Sequence, residues 1–179
     1  MINLVLFEPE IPQNTGNMMR TCVATNTRMH LIEPLGFKID EKNIKRSGVN
    51  YIKYLSYEVY PNYQAFYDKE IKNNPKARIY YLTRYGKHHL HDVDCTDKYL
   101  DYYFMLGKES TGIAKEILQE NLDKCIRLPM TGRVRALNVS NVAAIMIYEA
   151  LRQQGFPGLL EYEPDSSNPG FKGKDWLEK

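Results

Sequence analysis

The sequence has few cysteines, little net charge and no long apolar run, and each shortage excludes a class of protein. Its three cysteines lie far apart, at Cys22, Cys95 and Cys125, which favours reduced thiols in a cytosolic protein. No segment approaches the roughly 20 apolar residues of a transmembrane helix, and the N-terminus lacks the basic segment of a signal peptide. The net charge is only +2, so nucleic-acid binding would require a local basic patch.

Several widespread binding motifs are also missing. A Gly-Lys pair begins at Gly107, but no glycine precedes it at the Walker spacing, and Glu109 replaces the required Ser or Thr. No GxGxxG fingerprint of dinucleotide-binding domains is present. The histidines His88, His89 and His91 suggest a metal ion, but no cysteine or second cluster completes such a site. We therefore expect a solvated loop there and no metal.

Strand-like and helix-like segments alternate along the chain. β-Branched and aromatic runs predict strands, and apolar residues at helical spacing predict helices. The expected strands are residues 2–7, 29–32, 51–59, 77–83, 102–106 and 126–130, and the expected helices are residues 18–25, 40–47, 63–73, 113–120 and 139–152. This order predicts an α/β fold with a mainly parallel sheet and helices on both faces. We expect one domain over residues 1–158 and an extended or loosely packed tail over residues 159–179.

A polar loop is expected after the first strand, at residues 12–17. Ligands of such sheets bind at the carboxyl ends of the strands, which makes this loop a candidate site. Arg20 would lie about one helical turn beyond the loop, where its side chain can point back toward the strand ends. A helix capped by Asn14, Thr15 or Asn17, with Arg20 on its surface, explains the same residues.

Two further loops follow later strands. Residues 107–112 contain Gly107 and Glu109; a glycine lets the backbone approach a ligand closely, and a glutamate also favours the start of a helix. Residues 131–138 lead into a helix whose first half is apolar nearly all round, which indicates burial in the core or at a subunit interface. Helix capping explains one of Asn138, Ser140 and Asn141, but not all three.

A basic face is expected on the second helix and beside it. It consists of Lys38, Lys42, Lys45, Arg46 and Lys53. A solvated surface is the simpler interpretation, and a patch for RNA phosphates is the alternative.

The three loops together resemble motifs 1, 2 and 3 of the SpoU branch of the SPOUT RNA methyltransferases, and more closely those of the TrmL (YibK-like) tRNA 2'-O-methyltransferases. The resemblance extends from Leu4 to about Gly158 and includes LFEPEIPQNTGNMMR, HLIEPLGF, KRSGVNY and IYEALRQQGFPG. It implies an α/β fold with a trefoil knot, in which the chain around the third motif threads a loop, although knots are rare. It also implies a cytoplasmic homodimer.

The activity that the resemblance implies is methyl transfer from S-adenosylmethionine to a ribose 2'-hydroxyl. The substrate would be the wobble nucleotide, a cytidine or modified uridine, in the anticodon stem-loop of tRNA. Arg20 would position the hydroxyl and stabilise the developing alkoxide, because a guanidinium does not lose its proton near neutral pH. The residues that would orient Arg20 and the ribose are Asn14, Glu109, Asn138 and Ser140.

The resemblance also implies binding residues. The S-adenosylmethionine site would consist of Leu82, Thr83, Gly107, Leu128, Met130, Ala136 and Leu137. The family usually has a serine in place of Ala136, so a hydroxyl contact there would be missing. The basic residues that would contact RNA are Lys42, Lys45, Arg46, Arg133 and Arg135. The apolar residues that would form the dimer interface are Val142, Ala143, Ile145, Met146 and Ile147.

Three other functions compete with this interpretation. A SPOUT enzyme could act on another RNA, such as ribosomal RNA, with the same chemistry. A non-catalytic RNA- or nucleotide-binding module could share the fold. It would not need the five polar residues of the three motifs together, namely Asn14, Arg20, Glu109, Asn138 and Ser140. A metal-dependent hydrolase is the fourth possibility, and insensitivity to a chelator would exclude it.

Overall fold

The computed structural model describes residues 1–38 and 52–178 of the chain. Its strands are β1 (Ile2–Phe7), β2 (Arg28–Ile32), β3 (Tyr57–Tyr60), β4 (Ala77–Leu82), β5 (His88–His89), β6 (Asp101–Leu106) and β7 (Cys125–Arg127). Its helices are α1 (Pro12–Ala24), α2 (Tyr63–Phe66, continued by the π-helical turn Tyr67–Ile71), α3 (Lys115–Gln119) and α4 (Val139–Gln154). Short 3-10 turns lie at Ile52–Tyr54, Leu90–Asp92, Leu122–Lys124 and Trp176–Glu178.

The strands form one sheet in the order β3-β2-β1-β6-β4-β7-β5. All of its strand pairs among the described residues are parallel, which confirms the predicted mainly parallel sheet. Because parallel strands run in one direction, their carboxyl ends lie at a single edge. The loops that follow β1, β6, β4 and β7 are therefore neighbours along this edge, which we call the carboxyl edge.

Side chains of the central strands alternate between two apolar layers, and helices cover both, as predicted. One layer contains Leu4, Leu6, Met29, Leu31, Phe104 and Leu106, together with residues of α1 and α4. The other contains Val5, Phe7, Ile79, Tyr81, Tyr103 and Met105, together with residues of α2 and α3. A sheet buried on both faces explains why β1 is apolar at five of its six positions, all of which are buried.

Helix α1 begins six residues earlier than predicted, at Pro12. Proline suits the first turn of a helix, because its fixed φ is already helical and its missing N–H has no partner there. Residues 12–17 are therefore helical, and the predicted polar loop is wrong. The predicted caps are wrong too, since the N-cap is Ile11, which makes no side-chain cap bond, while Asn14 and Thr15 are buried inside the helix.

Three other element boundaries also differ from the predicted ones. Strand β7 ends at Arg127, so residues 128–130 leave the sheet, which they were predicted to join. Helix α3 begins at Lys115, two residues later than predicted, and has Ala114 as N-cap. The predicted polar loop after β4 contains the short strand β5, which pairs with β7.

Helix α4 has a buried side and an exposed apolar side. Its N-cap is Asn138, whose side chain accepts a hydrogen bond from the Ser140 N–H, and it ends at Gly155, with φ of 71°. Three of the residues predicted to contact a partner subunit are buried in the protomer's own core, so that part of the interface prediction is wrong: Ala143, Met146 and Ile147. Ile145 and Tyr148 remain 40% and 48% exposed.

Two predicted features lie outside the described residues. These are the helix at residues 40–47 and the RNA-binding residues Lys42, Lys45 and Arg46 that it carries. Residues 159–178 are mostly exposed and contain only turns and one 3-10 turn. Among the described residues, no helix is long and apolar enough to cross a membrane.

Candidate active site

Side chains from three distant parts of the chain meet at the carboxyl edge. The Glu109 carboxylate accepts a hydrogen bond from the Asn14 amide (Nδ2 to Oε1, 2.8 Å) and another from the Glu10 N–H (3.0 Å to Oε2). Helix α3 begins six residues after Glu109, so the interpretation of Glu109 as a helix cap is wrong. Its carboxylate instead joins the loop after β6 to the start of α1.

The third loop joins the same network through Asn138. Its Nδ2 donates to the Asn14 Oδ1 at 3.0 Å, and its Oδ1 accepts from both the N–H and the Oγ–H of Ser140, at 2.8 and 2.6 Å. The hydrogen bonds therefore run in one direction, from Ser140 through Asn138 and Asn14 to Glu109. A carboxylate only accepts and a backbone N–H only donates, so the two ends of the network fix both amide orientations.

A second set of contacts ties the loops after β1 and β6 together. The Glu10 carboxylate accepts from the Ser110 N–H and Oγ–H at 2.9 and 2.8 Å. The bond from the Ser110 hydroxyl is the main reason why the pKa of Glu10 lies below its usual value. Lys108 Nζ lies 2.6 Å from the Glu8 carboxylate. Sequence reasoning missed these four residues, and the only signal for them was their place beside Asn14 and Glu109.

Arg20 lies on α1 with its side chain exposed. It follows Asn14 by six residues, which in an α-helix is an advance of roughly 9 Å and a rotation of roughly 240°. The prediction that Arg20 lies one turn beyond a loop is therefore wrong, because the supposed loop is already the first turn of the helix. Asn14 is buried within the network, whereas Arg20 is exposed in the second half of α1.

The residues expected to bind S-adenosylmethionine lie on three adjacent strands. Leu82 ends β4, Gly107 directly follows β6, and Leu128 directly follows β7. Tyr81 is opposite both Met105 of β6 and Cys125 of β7, so Leu82 and Thr83 lie between the other two positions. The half-buried apolar side chains at these strand ends suit the adenine and methionyl parts of this cofactor.

Gly107 has a different role from the one expected for a ligand-contacting glycine. A Cβ at this position would lie 2.2 Å from the Gly112 carbonyl carbon and 2.2 Å from the Ile113 nitrogen. Lys108 and Gly112 form an antiparallel bridge, and Gly112 has a φ of 80°. The close approach that Gly107 permits is therefore to its own loop.

The remaining cofactor residues belong to the segment between β7 and α4. Met130 is half-buried, whereas Ala136 and Leu137 are exposed directly before Asn138. Arg133 and Arg135 are exposed in the same segment. The structure thus places all seven expected cofactor residues in the loops or strand ends of the carboxyl edge, and the fit of the cofactor remains a prediction.

The histidine cluster is arranged as a capped turn. Asp92 accepts a hydrogen bond from the His89 N–H at 2.7 Å, and the His89 side chain accepts one from the Asp92 backbone. Ligand atoms of His89, His91 and Asp92 lie within 4.8 Å of one another. The reciprocal caps account for this proximity, and the absence of a metal remains a prediction.

The cysteines are poor candidates for a covalent role. All three are buried and none forms a disulfide. Burial is the main cause that raises the pKa of Cys95 to about 12 and the pKa of Cys22 still further. A thiol with such a pKa is not a thiolate nucleophile near neutral pH, so the polar network is the better candidate for chemistry.

This mainly parallel α/β sheet is the fold of a SpoU-type methyltransferase. The model of the SpoU rRNA methylase family matches residues 1–148, and the chain belongs to this family. A Geobacillus stearothermophilus protein, named as a candidate tRNA (cytidine(34)-2'-O)-methyltransferase, is 48% identical over 158 residues, or 88% of this chain and 98% of that protein.

Two further comparisons also find proteins named for 2'-O-methylation at position 34 of tRNA. The tRNA (cytidine(34)-2'-O)-methyltransferase of Saccharophagus degradans is 42% identical over 159 residues, which cover 88% of this chain and 99% of that enzyme. A solved structure described by the words "2-OH methylation of C/U34 on tRNA" is 34% identical and has a TM-score of 0.77. The match covers 87% of this chain and 97% of the chain in the solved structure.

Proposed function

We propose that this protein transfers a methyl group from S-adenosylmethionine to the ribose 2'-hydroxyl of the wobble nucleotide of tRNA, a cytidine or modified uridine. The observation that carries the proposal is the network from Glu109 through Asn14 and Asn138 to Ser140. It joins the three motifs at the edge of the sheet where ligands of parallel α/β folds bind. The relatives named for this reaction support the choice of substrate.

The chemistry requires alignment more than activation of the methyl group. S-adenosylmethionine supplies a methyl that is already activated on a sulfonium, against which the ribose oxygen must be held in line. The network leaves one N–H of Asn14, one N–H of Asn138 and the Ser140 oxygen lone pairs for further bonds. Because both amides are held in one orientation, these groups present a fixed donor and acceptor pattern to a ribose.

Arg20 is the cation proposed to act on the ribose. A guanidinium keeps its proton near neutral pH, so Arg20 would position the 2'-hydroxyl and stabilise the negative charge that develops on its oxygen. Asn14, on the same helix, ties the helix to Glu109. The network would thereby fix the axial position of α1 and, with it, the point from which Arg20 reaches the RNA.

The fold and assembly proposed for the family fit the topology. Strand β7 lies between β4 and β5 in the sheet, although residues 83–87 connect those two strands directly along the chain. Helix α4 returns to residues that precede β6, with Gln153 bonded to the Cys95 N–H and the Val93 carbonyl. This path supports a chain that threads a loop as a trefoil knot.

A homodimer and a cytosolic location complete the proposal. Ile145 and Tyr148 are exposed on α4, which packs beside α1, and a second copy would cover this apolar side. The predicted contact Val142 is half-buried beside it. Arg133 and Arg135 would contact tRNA phosphates from the segment before α4. Reduced cysteines suit the cytosol.

The test is methylation of total tRNA with labelled S-adenosylmethionine, followed by mass-spectrometric mapping of the modified nucleotide. We expect a 2'-O-methyl group at position 34. Arg20→Ala should keep the affinity for S-adenosylhomocysteine and lower the turnover rate about 100- to 1,000-fold, the usual effect of removing one charge-stabilising donor. Arg78→Ala is the matched control, because Arg78 is exposed at the opposite edge, where β4 begins.

The outcomes test the role of Arg20 and separate the competing functions. Near-normal turnover in Arg20→Ala would contradict the role of that residue. A label found in ribosomal RNA but not in tRNA would support the alternative substrate. A wild-type protein that does not bind S-adenosylhomocysteine would be a non-catalytic module.

A further inference from the structure

An exposed aromatic and cationic pair lies at the end of β4, outside the network. The ring of Tyr85 is 71% exposed, and the guanidinium carbon of Arg84 lies 4.8 Å from its centroid. Arg84 Nη2 also donates a hydrogen bond to the Tyr85 hydroxyl. Both residues directly follow Leu82 and Thr83, two of the expected cofactor residues.

The backbone that carries this pair is held in place on both sides. The Thr83 N–H donates to the Ile126 carbonyl of β7 at 3.0 Å, and the Gly86 N–H donates to the Thr83 carbonyl at 3.3 Å. A Cβ on Gly86 would lie 2.6 Å from the Ile126 carbonyl carbon, so the turn is pressed directly against β7. The Tyr85 ring is therefore presented from a fixed turn, which limits the entropy lost when it binds a ligand.

Charge along the carboxyl edge favours an anionic partner on this half. Acidic residues follow β2 and β1, namely Glu33 and Glu8, and Lys108 pairs with Glu8. The residues at the ends of β4 and β7 are basic, namely Arg84 and Arg127, and the segment after β7 adds Arg133 and Arg135. A polyanion that reached the network would therefore cross the β4–β7 half.

We propose that Tyr85 and Arg84 form a stacking platform for an unpaired nucleobase next to the methylated nucleotide, an inference that rests on the proposed function. Bases of single-stranded RNA loops stack on tyrosine rings and on arginine planes. Tyrosine is frequent in this chain, with 14 copies, so exposure alone indicates little. What distinguishes Tyr85 is a fixed turn, an adjacent guanidinium and a place beside the cofactor strands.

The experiment measures binding and methylation of an anticodon stem-loop RNA by Tyr85→Ala, Tyr85→Phe and Tyr99→Ala. Loss of one stacked base should raise the Kd of Tyr85→Ala for the RNA about 5- to 150-fold, with unchanged affinity for S-adenosylhomocysteine. Tyr85→Phe should bind as the wild type does, since it keeps the ring. Tyr99 is 85% exposed two residues before β6, at the opposite edge, so Tyr99→Ala controls for loss of any exposed tyrosine.

RNA variants with one abasic nucleotide on either side of the target distinguish stacking from other contacts. One of the two abasic RNAs should bind the wild-type protein as weakly as the intact RNA binds Tyr85→Ala. The same abasic RNA should not raise the Kd of Tyr85→Ala any further. Equal binding by Tyr85→Ala and the wild type would overturn the platform while methylation at position 34 is retained. Additive losses would show that Tyr85 contacts another part of the RNA. A wild type that neither binds nor methylates the RNA would instead overturn the proposed function.

Discussion

Glu109→Gln should destabilise the protein although it changes one oxygen to an NH2 group. The network ends on a fixed N–H donor at each side, from Glu10 and from Ser140. With glutamine at position 109, its NH2 group can face Asn14 only if the side-chain amides of Asn14 and Asn138 both rotate by half a turn. That rotation points the Asn138 NH2 group at the Ser140 N–H. In the other orientation, the glutamine NH2 faces the Glu10 N–H. One donor therefore always meets another donor.

The magnitude follows from the bonds that are changed. A hydrogen bond to a charged group contributes about 1.5–3 kcal/mol and a neutral one about 0.5–1.5 kcal/mol, and an unsatisfied partly buried group adds a further penalty. We expect Glu109→Gln to lower the free energy of unfolding by about 2 kcal/mol. In an Asn138→Ala background, Asn14 can rotate without a clash, so the same change should cost only about 1 kcal/mol.

A double-mutant cycle by urea unfolding, at one fixed protein concentration, measures this difference. The cap lost from α4 in Asn138→Ala cancels in the cycle, because it is absent on both sides of the comparison. Glu116→Gln, an exposed change on α3, controls for removal of a carboxylate. Costs of Glu109→Gln and Asn138→Ala that add within about 0.5 kcal/mol, the usual limit for independent sites, would refute a directed network.

Three further predictions concern packing, protonation and assembly. Gly107→Ala should lower the free energy of unfolding by about 3 kcal/mol, the upper range for overpacking, as measured by urea titration, because its Cβ would meet the Gly112 backbone. Burial lowers the pKa of His30 to about 4; the unfolded chain therefore takes up a proton between about pH 6.5 and 4 that the folded protein does not. Stability should fall as the pH drops through that window, and His30→Gln should flatten the slope. Ile145→Glu should shift the species seen by analytical ultracentrifugation from dimer to monomer, and a wild type that is monomeric at every concentration would contradict the interface.

The alternation of strands and helices was sufficient to predict the sheet. The apolar runs of β1 and β6 predicted buried strands of a parallel sheet with helices on both faces, because nearly all of their residues are apolar and buried. Strand β4 was predicted from its β-branched and aromatic residues, although only two of its six positions are buried. The pairing of Asn14 with Glu109 and Asn138 was not visible in any local pattern. Resemblance to a family placed these residues in one site but did not predict the bonds between them, which join positions 95 and 124 residues apart.

The errors in the predicted elements have physical causes. Residues 12–17 contain Asn14, Gly16 and Asn17, which are weak helix formers, yet Pro12 begins a helix and burial against the sheet sustains it. Strand β7 is short because β4 ends opposite Ile126 and β5 ends opposite Arg127, so residues 128–130 have no described strand to pair with. Glu10 and Ser110 were missed because a carboxylate–hydroxyl contact across two loops has no spacing in the sequence that predicts it.

The hydrogen bonds between distant loops also have a consequence for biosynthesis. Strand β1 pairs along its length with β6, with Ile2 opposite Tyr102, and the network adds Asn138 from still later in the chain. Contacts of such large sequence separation form slowly, because loop closure precedes any gain from pairing. The growing polypeptide on the ribosome therefore contains both Asn14 and Glu109 before it can have an active site. Catalytic competence should arise abruptly, only after α4 has emerged and docked.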